Sequence, residues 1–174
     1  MYNAALFLHN YCTYHSVSTR IEQELSSPDA LRVYETEYFE QALMQTHHRK
    51  TTVALHTLGV AAVSLRLYYV LARLGMDLDK KCLVRAALCH DLGILGRDEK
   101  FDSTLECYTR HPLCSADTAK VVFPDLDGKT ENCILCHMFP LTGKAPQYTE
   151  GAVLILADKY CAIAENIEAM IHRA

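Results

Sequence analysis

The chain has no tryptophan and, in 174 residues, only seven glycines and five prolines. Closely spaced Gly/Pro turns between short strands are therefore missing, which argues against an all-β fold. It also lacks a basic excess. Lys and Arg number 17 against 21 Asp and Glu, for a net charge of -4. Sequence-independent binding to a nucleic-acid duplex needs the opposite balance; a small anionic substrate does not. An uninterrupted membrane-length apolar run is missing too. The stretch from Val53 to Val70 is broken by His56, Thr57, Ser64 and Arg66, short of the roughly 18 consecutive residues a span needs. Met1 to Asn10 shows no basic flank and no small-residue cleavage pattern. The expectation is a cytoplasmic protein without a membrane partner.

What is present can build a core. Half the residues are hydrophobic and 22% are charged, which excludes a disordered chain. The eight cysteines sit mostly in apolar helical patterns and read as core thiols rather than disulfides. Apolar residues recur at spacings of three and four, so the fold class is all-α. One helix is predicted to end near Ser26. A second starts at Ser27-Pro28-Asp29 and runs to near Thr46. A central buried helix spans about Lys50 to Leu74, and Asp79 caps another that ends at His90. Arg97 to Asp102 reads as a polar loop. Pro112 is expected to start the next helix, followed by helices at about Lys129–Met138 and Thr149–Ile171. The division expected is a helical extension over residues 1–45 and a metal-binding domain over 46–174.

The informative residues are polar ones in apolar runs. His56 interrupts Val53-Ala54-Leu55 and Leu58-Gly59-Val60. His90 and Asp91 end the run from Val84 to Cys89. His137 follows Cys133-Ile134-Leu135-Cys136, and Asp158 lies between Leu154-Ile155-Leu156-Ala157 and Cys161-Ala162. Singly, each has a bland explanation as a hydrogen-bonded core residue or helix cap. Together they do not, because a buried carboxylate needs a pair or a cation. Asp158 has only Leu154, Ile155, Cys161 and Ala162 at three and four residues on its own helix, so its partner is expected from another helix.

These positions resemble the HD superfamily of metal-dependent phosphohydrolases, whose pattern is a His, a His-Asp doublet and a distant Asp on a helical bundle. They map to His56, His90-Asp91 and Asp158, over about Thr46 to Glu165. His111 and His137 fill, in order, the two further His positions of the two-metal subset. The stretch His137-Met138-Phe139-Pro140-Leu141-Thr142 and the segment Asp158-Lys159-Tyr160-Cys161 are similar to those of a group of small bacterial HD proteins. The resemblance implies an HD-domain helical bundle holding one or two divalent transition metals, Fe or Mn first, with Zn, Co, Ni or Mg as alternatives. It implies that His56, His90, Asp91 and Asp158 hold the first metal, and that Asp91 bridges to a second at His111 and His137. The implied activity is hydrolysis of a phosphate ester or anhydride of a nucleotide-like small molecule. Asp91, Lys159 and Arg110 are the expected catalytic residues. Arg49, Lys50 and Lys144 are further candidate cations, and His47 and His48 candidates for the pocket mouth. A homodimer is a possible assembly, and the Tyr-rich N-terminal segment suits that role or packing on the core. Gly93-Ile94 stands where some relatives carry a Gly-Lys step, and the Gly-Tyr-Pro signature of cyclic-di-GMP phosphodiesterases is missing.

Three rivals remain at this level. Cys133-x-x-Cys136-His137 matches the attachment pattern of c-type haem, at odds with a cytoplasmic setting. The same six ligands could serve a di-iron oxygenase. A nucleotide-binding, non-enzymatic HD module is the third.

Overall fold

A computed structural model describes residues 4–48 and 51–171, the side chains of residues 4, 5 and 48 excepted. Among these residues the fold is all-α. The elements are α1 (Ala4–Tyr14), α2 (Thr19–Leu25), α3 (Pro28–Tyr34), α4 (Glu37–Met44), strands β1 (Thr46–His48) and β2 (Thr51–Thr52), α5 (Val53–Arg73) and α6 (Lys80–Cys89). A 3₁₀ turn (Leu92–Ile94) precedes α7 (Arg97–Lys100), α8 (Thr104–Val122), α9 (Gly128–Cys136) and α10 (Thr149–Ile171).

Side-chain caps set most boundaries. Ser27, Thr36, Thr52, Asp79, Ser103 and Asp127 each accept from a backbone N–H three residues on, supplying one of the partners a helix start lacks. Four differences from the sequence-based expectation follow local chemistry. The single N-terminal helix is two, α1 and α2. The helix expected from Ser27 to Thr46 breaks at Thr36, whose hydroxyl donates to Val33 O at 2.7 Å and accepts from Phe39 N at 3.2 Å, closing α3 and opening α4. The supposed loop after Gly96 contains α7. Pro112 does not start α8 but lies inside it. Its fixed φ suits a helix, and the cost is one lost bond to the fourth residue back.

The central helix is α5, with Val53, Ala54, Leu58, Val60, Ala61 and Leu65 fully buried. It packs chiefly on α6 and α10. By length and composition alone α5 could cross a membrane, but 56% of its apolar 18-residue stretch is buried inside the protein, the situation of a core helix. Helices α1 to α4 share its apolar cluster through Leu8, Leu25, Val33 and Phe39. A polar tie joins them as well. Arg85 of α6, nearly buried, donates to Asp29 of α3 at 2.8 Å and to Asp125 at 3.2 Å, and its guanidinium stacks 4.3 Å from the Phe123 ring.

Candidate metal centre

The six predicted ligands converge. His56 enters from the first turn of α5, His90 and Asp91 from the end of α6, His111 from the middle of α8, His137 from the end of α9 and Asp158 from the middle of α10. All six are at least 94% buried. The doublet works because the chain leaves helical geometry between its members. His90 keeps helical angles, whereas Asp91 has φ -113° and ψ 5°. Adjacent side chains that diverge on a regular helix here face one site. Gly93 lets α8 approach. A Cβ there would stand 2.3 Å from Ser115 N and 2.5 Å from His111 O, and its N–H donates to Ser115 Oγ at 2.9 Å.

Asp91 lies between two groups of imidazoles. Its Oδ1 is 3.2 Å from His111 Nε2 and 3.5 Å from His137 Nε2. Its Oδ2 is 3.4 Å from His90 Nε2 and 3.7 Å from His56 Nε2. Asp158 Oδ1 completes the second group, 3.2 Å from His56 Nε2 and 3.9 Å from His90 Nε2.

The tautomers are fixed from behind. Nδ1 of His90, His111 and His137 lies 2.7–2.8 Å from the carbonyls of Ala87, Cys107 and Ile134. A carbonyl only accepts, so each Nδ1 carries the proton and each Nε2 presents a lone pair inward. His56 Nδ1 faces the Glu165 carboxylate at 2.9 Å, a partner that orients and strengthens a ligand imidazole. At these three rings and Asp91 the neutral centre is thus acceptors facing acceptors. His111 Nε2 and His137 Nε2 stand 2.8 Å apart, and His90 Nε2 is buried with no hydrogen-bond partner. Only cations reconcile such a set, and these residues fit divalent metals on that ground. Nitrogen and carboxylate donors without a thiolate suit Fe, Mn, Zn, Co or Ni.

The electrostatics show how strongly the centre draws positive charge. Burial opposes charge on His56, but Asp158 and Glu165 outweigh it and raise its pKa to about 10. Burial dominates at His90 and lowers it to about 4, keeping that ring a neutral donor. Asp91 and Asp158 resist burial and are held well below the ordinary carboxylate range by surrounding His side chains.

The other predicted residues are placed differently. Lys159 folds back to donate to Asp158 Oδ2 at 2.7 Å. The expectation that the partner of Asp158 comes from another helix holds for His56 of α5 but is incomplete, because the long stem of the neighbouring Lys159 spans the divergence between adjacent positions. Arg110 points to solvent on α8 and pairs with Glu106. Lys144 is exposed between α9 and α10. Arg49 and Lys50 lie outside the described residues, as does the side chain of His48. Cys133 and Cys136 are fully buried, the former 3.8 Å from Cys82 Sγ, and His137 faces Asp91. That arrangement leaves no surface for the haem reading.

Two residues of the centre escaped sequence reasoning. Glu165 lies seven residues after Asp158, two turns along the same face of α10, a spacing that could have revealed it. His47, considered only for a pocket mouth, brings Nε2 to 3.1 Å from Asp91 Oδ2. It sits on a strand, so no helical periodicity points to it. A cleft of about 380 Å³ between α1, α5 and α10, lined in part by Tyr11, Arg66, Tyr160 and Glu168, meets the centre at Glu165.

Comparison with curated proteins and with solved structures gives no match. The family model of the HD domain matches residues 53–170, which begin and end just outside the span from His56 to Glu165. That match covers more than half of the chain, and with the convergence of its His and Asp side chains it shows that the chain belongs to the HD-domain family.

Proposed function

We propose that this protein is a metal-dependent phosphohydrolase acting on a phosphate ester or anhydride of a small nucleotide-like molecule. The observation that carries the reading is Asp91, one carboxylate whose two oxygens face separate groups of buried imidazoles. Such a bridge suits two ions side by side. His56, His90, Asp91 and Asp158 would hold the first, and Asp91, His111 and His137 the second. When bound, such ions supply Lewis acidity and lower the pKa of water to near neutrality. The chain needs no nucleophile of its own, and its buried thiols point elsewhere.

The protein's own residues hold and orient. Three helix carbonyls and Glu165 fix the imidazoles, so little reorganisation accompanies charge development. Lys159 holds Asp158 in place with a half-exposed ammonium, a cation beside the centre that a phosphoryl oxygen could share. Arg110 would have to leave Glu106 to join it. Eight free thiols, seven of them buried, support a reducing, cytoplasmic setting.

The test is metal content by mass spectrometry beside phosphate release from p-nitrophenyl phosphate, its diester and a panel of nucleotides. Wild type is expected to hold about two transition metals per chain and to hydrolyse at least one class without O2. Asp91→Ala should lose both metals and the activity while remaining helical by circular dichroism. A fully metallated wild type that leaves the whole panel intact, or that consumes a substrate only with O2, would sink the proposal.

A further inference from the structure

The two halves of the centre are unequal once His47 is counted. Its side chain is 9% exposed, and its Nε2 lies 3.1 Å from Asp91 Oδ2, closer than His56 or His90 comes to that oxygen. Donors 2.0–2.2 Å from a first-row ion and at right angles are about 3 Å apart. The His47–Asp91 spacing is therefore that of two neighbouring ligands of one ion. Donor atoms of His47, His56 and Asp91 lie within 4.8 Å of one another, as do those of His56, His90 and Asp158. The His47 triad shares His56 with the second of these and Asp91 with the triad of His111 and His137, but His47 approaches Oδ2, the oxygen turned to His56 and His90, whereas His111 and His137 face Oδ1.

The position of His47 is built. Strands β1 and β2 form an antiparallel hairpin pair, with Thr46 paired to Thr52. Val53 N donates to Gln45 O at 3.0 Å, closing the hairpin where α5 begins. Gln45 then clamps it to the chain just after the doublet, donating to Ile94 O at 2.9 Å and accepting from Gly96 N at 2.7 Å. The His47 ring stands against that of His56, centroids 4.7 Å apart. A pocket-mouth histidine would need none of this.

We infer that His47 is a fifth protein ligand of the first ion, beyond the six-residue pattern. The inference rests on the two-ion reading above. It leaves the first ion with His47, His56, His90, Asp91 and Asp158, and the second with only Asp91, His111 and His137. The anionic group of the substrate is then taken at the second ion, where protein donors are fewest.

The experiment is titration of the metal-free full-length protein with Co(II), read by visible absorption and by competition with a chelator. Wild type is expected to take up two Co(II). His47→Ala should weaken one of them about tenfold or more, change its absorption bands and leave the other unaltered. Added imidazole should restore the wild-type bands. His47→Gln keeps a hydrogen-bond donor for Asp91 but is a poor ligand, and it should behave like the alanine variant. If His47→Ala binds both ions with unchanged affinity and spectrum, or if Gln restores wild-type values, His47 only donates to Asp91 and the inference falls. A wild type that takes up no metal instead overturns the two-ion reading itself, so the two failures are distinguishable.

Discussion

Two of the places where the described residues bury charge solve the problem in opposite ways. At Arg85 the guanidinium meets two carboxylates and an aromatic face, so the chain provides both signs. At the centre between α5, α6, α8, α9 and α10 the described residues crowd imidazoles around two carboxylates in a set that draws positive charge in, and the Lys159 ammonium sits on the rim. The first arrangement holds two parts of the fold together. The second is incomplete as a purely protein structure, which is what a binding site is. Burial and polarity alone do not separate the two; the sign of what is missing does.

Removing metal should separate them most sharply. An ion at 100 times its dissociation constant stabilises its folded host by about 2.7 kcal/mol, so two sites contribute about 5. Excess chelator should lower the melting temperature of wild type clearly and that of Asp91→Ala hardly at all. Equal shifts would show that the ions do not sit at this centre. Gly93→Ala comes next. Its methyl would meet the α8 backbone, for which the cost is expected at the top of the about 1–3 kcal/mol range of overpacking. Because α8 carries His111, the second ion should weaken more than the first, and a variant of unchanged stability and metal content would contradict the close approach.

Arg85→Met probes the self-sufficient region. A loss of about 2 kcal/mol in denaturant unfolding is expected, below the 3–5 kcal/mol of a fully buried pair, because Asp125 is 60% exposed and can be solvated. Its metal stoichiometry should stay at the wild-type value; a change there would mean the two regions are coupled. Glu165→Gln should weaken the first ion by about 10- to 100-fold with little effect on the second, and equal weakening of both would assign Glu165 a general structural role.

The smallest effect expected is a pH dependence at Glu150, buried at the start of α10. Burial would raise its pKa, but donation from Asp79 N at 2.6 Å and Lys129 Nζ at 3.2 Å lowers it. A depressed carboxylate stabilises the fold above its unfolded value, 4.5, and that contribution disappears as pH falls through the folded one. Wild type should therefore lose stability relative to Glu150→Gln only below about pH 4.5. A difference between them that is constant from pH 7 to 3 would show that the interaction is not ionic.

Helix content and the six converging His and Asp residues were legible because both leave a periodic trace. An ionisable residue inside an apolar stripe stands out, and six in order are hard to produce otherwise. The limits of legibility were equally physical. Thr36 divides α3 from α4 with one hydroxyl serving two helices, which no apolar period records. Pro112 looks like a helix start and is tolerated inside α8. His47 reaches the centre through a hairpin and a glutamine clamp. Lys159 defeats a simple angular argument because a flexible stem can double back.

The carbonyls behind the imidazoles have a last consequence. Ala87, Cys107 and Ile134 stand three or four residues before the rings they hold, so each ring takes its aim from its own local backbone. The direction of three imidazoles is therefore inherited with the helices and owes nothing to distant surface loops. The loops at residues 101–103 and 140–148 are then at liberty to drift in length and composition, and a lineage could exchange one substrate for another without re-inventing the orientation of these rings.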